Sequence, residues 1–421
     1  MLSFSVVMAH DVDTGRLRRI RFALLIGAIA LFALLYAPQP VLPQLSRAFA
    51  LSPGSAALLV SASTLGLALA AIPLGTLSEA VGRRRTMLLS LVVAEALGLC
   101  LPWVHDFPLM VVLRLVQGAA VAGMSSVAVA YLVGETGGRQ MGTTMGLYVA
   151  GTTIGGMSGR LLGGIAGDFA GWSGGMLTVA ALAGGCTLLF VALLPAERNH
   201  TRQELRWAPL ARGLRSAASD PVLYAPYLVA ALGMGSFVTV YNVLSFRLTS
   251  APFHVDPALA ALAFLAYAAG TVTSAVAGGL ADRWGRTRVL VSGLVAVLAG
   301  FGLMLVGDLP TIIVGLVVFT GGFFIAHSVA SAWVGERALP SARGQATALY
   351  QFAYYAGSSV GGVLGGLAYA AWGWSGMTAM LGCWIVLAGA AVLVAAGREA
   401  PAERAAAAGG EREQDQVASG S

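Results

Sequence analysis

The sequence has no lysine, and charge of either sign is scarce. Charged residues make up 10% of the 421 positions, against roughly 25% in an ordinary soluble domain. A water-soluble globule of this size needs far more polar surface, so that class is excluded. All 25 basic residues are Arg, a bias that points to a GC-rich bacterial genome rather than to any chemistry. Cysteine is nearly absent: Cys100, Cys186 and Cys383 all lie in apolar runs. They make no disulfide framework, and no CxxC or Cys/His pairing offers a metal site. There is no HExxH, no GxSxG and no paired Asp in the apolar runs, so nothing carries an enzyme's constellation. No GxxxxGK[ST] loop occurs, which excludes ATP-driven work by this chain alone. The polar segments are too short for an attached signalling domain, and no cofactor or metal is implied.

What is present is apolar. Hydrophobic residues make up 57%, and 55 Gly occur with no Gly-X-Y period. Disorder and collagen are excluded, and a membrane protein remains. Each crossing needs about 20 mostly apolar residues. Twelve candidates are found, at 22–42, 55–77, 86–104, 109–133, 142–167, 174–195, 222–246, 257–280, 288–306, 310–334, 345–370 and 376–397. The polar Arg-rich start leads into a run long enough to span, so it does not read as a cleavable signal. The reading is an all-α membrane protein with two six-helix bundles, 22–195 and 222–397. A cytoplasmic segment 1–21 precedes them, a cytoplasmic loop 196–221 joins them, and a disordered cytoplasmic tail 398–421 follows.

Arg placement sets the expected orientation. With the N-terminus inside, 21 of the 25 Arg face the cytoplasm, among them Arg16, Arg83, Arg84, Arg85, Arg139, Arg198, Arg283, Arg286 and Arg337. Only Arg47 and Arg247 face outward, and Arg114 and Arg160 fall within spans. Short loops distributed this way place both termini in the cytoplasm. The net charge of +6 then reflects topology, not nucleic-acid binding.

The halves repeat. Gly75 to Arg83 matches Gly278 to Arg286 at an offset of 203, and Gly171 to Gly174 matches Gly373 to Gly376 at 202. Gly155, Gly159, Gly163 and Gly164 match Gly357, Gly361, Gly365 and Gly366, and Gly134-Glu135 matches Gly335-Glu336. A duplicated unit in parallel orientation follows, with a substrate site expected between the halves.

Over almost its whole length the chain resembles the major facilitator superfamily. The family's G-x-L-a-D-R-x-G-R signature is closely matched from Gly278 to Arg286, through Asp282, Arg283 and Gly285. The first-half copy, through Gly75, Glu79, Gly82 and Arg83, has Glu79 for the Asp and Ala80 for the first Arg. The helix 4 signature R-x-x-Q-G reads Arg114-Leu115-Val116-Gln117-Gly118. The helix 5 antiporter signature is partial: Gly151, Gly155 and Gly159 fit, while Gly156 stands for Pro and Arg160 for Gly. Tyr36-Ala37-Pro38-Gln39-Pro40 resembles an element of a bacterial efflux branch, the arabinose-efflux-permease-like and drug:proton antiporter-like transporters.

The resemblance implies gating by the Arg-and-acid clusters, in which Glu135 and Glu336 could pair with Arg83 and Arg286. It also implies a part for Arg114 in proton coupling. A cation within a span is costly, and Gln117 beside it offers a hydrogen bond. Arg114 and Arg160 sit at similar depth and call for an anion, whether protein, substrate or proton-linked carboxylate. Glu95 is the only carboxylate near the middle of a span, either a proton carrier or a structural partner of Arg114. His327 could also move protons, or be a packed core residue. Tyr36, Gln39, Tyr131, Tyr148, Tyr241, Asn242, Tyr267, Tyr350, Gln351 and Tyr354 fall on helices that line the cavity in this family, and suit amphipathic organic solutes. The expected function is proton-coupled export of small organic molecules by alternating access in the inner membrane of a bacterium, by a monomer. The alternative is a facilitator or importer of a sugar-like or anionic solute.

Overall fold

The computed structural model describes residues 14–136, 141–197 and 207–419. Arg139 and the stretch 198–206 of the central loop, with Arg198, Arg202 and Arg206, lie outside the described residues, as do residues 1–13. The described chain is helical throughout, without strands. Its helices are α1 (Thr14–Leu35), α2 (Leu42–Ala48), α3 (Pro53–Val81), α4 (Arg83–Cys100), α5 (Phe107–Ser125), α6 (Ala128–Thr136), α7 (Met141–Leu193), α8 (Trp207–Ser219), α9 (Tyr224–Thr249), α10 (Pro257–Ala261), α11 (Tyr267–Trp284), α12 (Arg286–Leu305), α13 (Leu309–Arg337) and α14 (Arg343–Ser419).

Among the described residues, ten helical runs are long and apolar enough to cross a membrane, where the sequence pattern counts twelve. The difference has a local cause. α7 and α14 are far longer than one crossing requires, and each contains one non-helical glycine, Gly171 (φ 69°) and Gly373 (φ 66°). Each is two helices joined across a kink. Helix α8 occupies part of the central loop, and Gly213 on it packs against Gln345 of α14. Helix α14 continues to Ser419, through the segment read above as a disordered tail. Large apolar side chains stay exposed around the bundle, Leu188 at 74% and Val272 at 65% among them. A protein in water does not sustain such a surface, whereas lipid covers it without cost.

The repeat holds at the level of contacts. Gly155 and Gly159 of α7 pack onto Ile29 and Ala33 of α1 so closely that a Cβ would lie 2.3 and 2.8 Å from their backbone atoms. Gly357 and Gly361 of α14 do the same to Ala231 and Gly235 of α9, at 2.2 and 2.3 Å. All four partners are related by the 202-residue offset. Asp106 caps α5 through the Leu109 N–H, and Asp308 caps α13 through the Thr311 N–H, again 202 residues on. The Thr311 hydroxyl and N–H hold the Asp308 carboxyl below its ordinary range.

The turns between α3 and α4 and between α11 and α12 each rest on one residue, Gly82 (φ 107°) and Gly285 (φ 86°). A side chain disfavours both conformations by about 1–3 kcal/mol. Nothing lies within 4 Å of a Cβ built on Gly285, so Gly285→Ala tests backbone strain alone. It is expected to lower the unfolding temperature of the purified protein. An unchanged temperature would mean the turn adopts another conformation.

Candidate functional site

Helix α1 ends at Leu35 because two prolines follow. Pro38 has no N–H for the Leu34 carbonyl, and Pro40 has none for Tyr36. Ala37 reaches back to Leu34 instead, at 3.3 Å, and Gln39 donates to Tyr36 rather than Leu35. The carbonyl end of the helix, carrying its negative partial charge, is thus left short of donors inside the bundle.

Arg114 of α5 supplies them. It is 1% exposed, and each of its five N–H groups is used. Nε donates to the Leu59 carbonyl at 2.8 Å, and Nη1 to the Leu34 carbonyl at 2.9 Å and to Gln117. Nη2 donates to the Leu35 carbonyl and to Ser63 Oγ. Gln117 then donates to the Ala94 carbonyl of α4 at 2.8 Å. One guanidinium and one amide therefore tie four helices together. The cation is stabilised by backbone dipoles, with no carboxylate among these partners.

Glu95 does not pair with Arg114. Both of its oxygens are buried without a hydrogen-bond partner, beside Gly184, where a Cβ would lie 3.1 Å from Oε1.

Arg160 of α7 differs from Arg114. It is equally buried, but Nε donates to Gln39 Oε1, Nη1 to the Gly156 carbonyl, and Nη2 has no partner. Three rings surround the guanidinium: Tyr36 at 4.1 Å, Tyr267 at 4.6 Å and Phe264 at 5.6 Å. Tyr36 belongs to the first half, the other two to the second. Gln39 Nε2 donates to Asn242 Oδ1 at 2.6 Å, a hydrogen bond between the halves. Asn242 Nδ2 and Ser61 Oγ are buried without partners, and both border the same point, 3.2 and 2.6 Å from a Cβ built on Gly362.

An aromatic wall runs from this cluster into the second half. Tyr267 packs on Tyr241 and Phe237, and Phe237 stacks on Phe323 at 4.3 Å. Phe323 stacks on His327, whose ring lies 4.8 Å from Tyr354. Nδ1 of His327 is bonded to the Tyr350 hydroxyl at 2.9 Å. Tyr241 is bonded to Thr320 at 2.8 Å. The cavity residues named from sequence thus separate. Tyr36, Gln39, Tyr241, Asn242, Tyr267, Tyr350 and Tyr354 form this cluster and wall. Tyr131 lies elsewhere, its hydroxyl on the Pro195 carbonyl at 3.0 Å. Tyr148 is buried and Gln351 half-buried.

The halves touch at the end opposite the Arg-rich turns: Gly54 against Gly366, Gly164 against Ala261, Gln39 against Asn242. At the Arg-rich end, ion pairs between described residues stay within one half and its flank. Arg16 pairs with Glu135. Arg286 pairs with Glu336 at 3.5 Å and with Glu399. Arg337 pairs with Asp220 at 2.8 Å and Glu399 at 3.9 Å. Arg83 lies against Gly134, while Glu79, Asp282 and Arg283 are at least largely exposed. Arg16 and Arg337 were read from sequence only as cytoplasmic positive charge, and Asp220 and Glu399 were not named there. Glu399 falls in the segment read as tail, yet it is buried and also takes the Trp333 indole N–H at 3.4 Å.

The family model of the Major Facilitator Superfamily matches residues 24–251 and again 243–418. The chain belongs to this superfamily. Two bacterial relatives are similar along most of their length. "Inner membrane transport protein YnfM" of Escherichia coli K12 is 37% identical over 375 residues, 89% of this chain and 90% of the relative. "Uncharacterized MFS-type transporter YybF" of Bacillus subtilis 168 is 35% identical over 371 residues, 88% and 92%. Among solved structures, a bacterial homologue of the lysosomal transporter Spinster, inward-facing and unoccupied, has a TM-score of 0.75 at 16% identity, over 91% of this chain and 97% of its own. A variant of the nucleoside transporter NupG gives 0.74 at 16%, over 89% and 99%. This Major Facilitator Superfamily chain is a multi-pass membrane transporter rather than an enzyme.

Proposed function

We propose that this transporter exports small organic molecules in exchange for protons, by alternating access in the bacterial inner membrane. The observation that carries the reading is the contact pattern between the halves. Two repeat-related bundles touch at the end opposite the Arg-rich turns, among the described residues, and an incompletely paired polar cluster sits where they meet. Rocking about such a site exposes it to each side in turn. With the Arg-rich end in the cytoplasm, this arrangement is the state closed to the outside. α7 and α14 each cross twice, for twelve crossings in a monomer with both termini inside. The charges now paired within each half, at Arg16–Glu135 and Arg286–Glu336, re-pair across the halves when the cytoplasmic side closes. The export direction rests on the efflux-like element at Tyr36 to Pro40. Proton carriage is assigned to Glu95, whose unpartnered carboxyl can bind and release a proton without breaking another contact. His327 is already held by Tyr350.

Proteoliposomes with an internal pH dye test this. Sugars, amino acids, organic anions and lipophilic cations are added in turn. One class is expected to drive proton movement in the wild type, and Glu95→Gln to abolish it while solute still binds. Solute crossing without proton movement would replace exchange by facilitated passage of an anionic solute, the second reading, which the unpartnered Nη2 of Arg160 favours.

A further inference from the structure

We infer that Arg160 anchors the anionic group of the transported solute, and that the solute is an aromatic or similarly flat apolar acid. This rests on the transport reading above and names the chemistry of that site. A buried guanidinium with unfilled N–H groups is costly, yet here the fold keeps it short of acceptors. Gln39 and one carbonyl serve two of its five N–H groups, and no acidic side chain among the described residues pairs with it. Arg114, at similar depth, shows that this chain can fill a buried guanidinium completely with its own atoms.

The neighbours point the same way. Asn242 Nδ2 donates, Ser61 Oγ can donate, and neither has a partner. Asn242 is one hydrogen bond beyond Gln39 from the cation, and a guanidinium with such donors near it suits a carboxylate, which accepts in two directions in one plane. They do not suit an ammonium, which would face only donors and a positive charge. The rest of the solute meets rings. Tyr267 packs on Arg160 at 4.6 Å and is itself the first ring of the wall through Tyr241 and Phe237. A flat apolar body extending from the carboxylate lies along that wall. The anchor also touches the contact between halves. Gln39 accepts from Arg160 and donates to Asn242 across the interface. A carboxylate that takes Gln39's place on Arg160 therefore loosens the bond that closes this end.

The test is binding to the purified protein in detergent, read by its unfolding temperature. Benzoate, 3-phenylpropionate and indole-3-acetate are compared with their uncharged amides. At least one acid is expected to raise the temperature, while its amide does not. Arg160→Gln is expected to weaken that acid at least about tenfold, the effect of one lost charge-assisted hydrogen bond. Should Arg160→Gln not fold, Asn242→Asp keeps the cation, sets a negative charge beside it, and is expected to lose the acid as well. Amides that stabilise as well as acids, acids bound equally by both variants, or no acid bound at all would overturn the assignment. Two outcomes separate this inference from the transport reading. A neutral solute moved equally by wild type and Arg160→Gln overturns the anchor and leaves transport standing. Acids that bind through Arg160 but never cross a proteoliposome leave the anchor and overturn transport.

Discussion

Arg114→Ala is expected to prevent the transporter from folding to a stable bundle. Removing the guanidinium leaves the Leu34, Leu35 and Leu59 carbonyls, Ser63 and Gln117 without the donor that joins them. Breaking a buried charged network costs about 3–5 kcal/mol, a large share of the 5–15 kcal/mol that holds a typical domain together. The deficit cannot be repaired locally, because Pro38 and Pro40 deny the end of α1 its own N–H groups. Lys is expected to fail nearly as badly. An ammonium has three donors on a compact head, and cannot span acceptors on α1, α3 and α5 at once. The yield of monodisperse protein and its unfolding temperature are the readouts. If Arg114→Ala folds normally and moves solute without protons, the coupling role implied by family resemblance is correct and the structural one is not.

Gly118→Ala is expected to be as damaging, for a steric reason. A Cβ there would lie 1.8 Å from the Ser63 carbonyl oxygen and 2.5 Å from its carbon. Both are backbone atoms of α3 and cannot swing aside. The reciprocal contact is as tight: a Cβ on Gly66 would lie 2.0 Å from the Leu115 oxygen. α3 and α5 must then separate along their length, which also pulls Arg114 from Leu59 and Ser63. Membrane helices lack a hydrophobic force to compensate, since packing itself drives their association. Gly302→Ala is the control. It lies inside α12 with nothing within 4 Å of the added carbon, and is expected to leave expression and unfolding temperature unchanged. A folded Gly118→Ala with normal stability would mean that the two helices have slack that the structure does not display.

Hydropathy and the repeat made most of the architecture legible. Gly155, Gly159, Gly357 and Gly361 stood out as repeat matches, and the structure puts each in a close helix contact that only a small residue permits. Gly171 and Gly373 marked breaks between apolar runs, although the backbone passes through them as a kink rather than a loop. The site was legible in part. Arg160 and Gln39 stood out as polar residues in apolar surroundings, but Asn242 becomes their neighbour only once the halves are brought together. The network around Arg114 was hidden for another reason. Three of its acceptors are main-chain carbonyls, which every residue possesses and no side chain advertises. Its expected tie to Glu95 was a matter of depth along the helix axis, which says nothing about the direction a side chain faces. Glu399 escaped notice because an Ala- and Glu-rich stretch begins there, while its partners Arg286 and Trp333 come from distant segments.

The 202-residue register also tells where duplication stops. Backbone contacts and caps are copied from one half to the other, but the chemistry is not. The position corresponding to Arg160 is Gly362, that of Arg114 is Leu316, and that of Gln39 is Tyr241. One bundle keeps Arg114 and Arg160, and its twin offers a leucine, a ring and a closely packed glycine in the corresponding places. Twin scaffolds move alike, so the grip on cargo is free to be lopsided. Selectivity can then drift on either wall while the joints that move the walls stay matched.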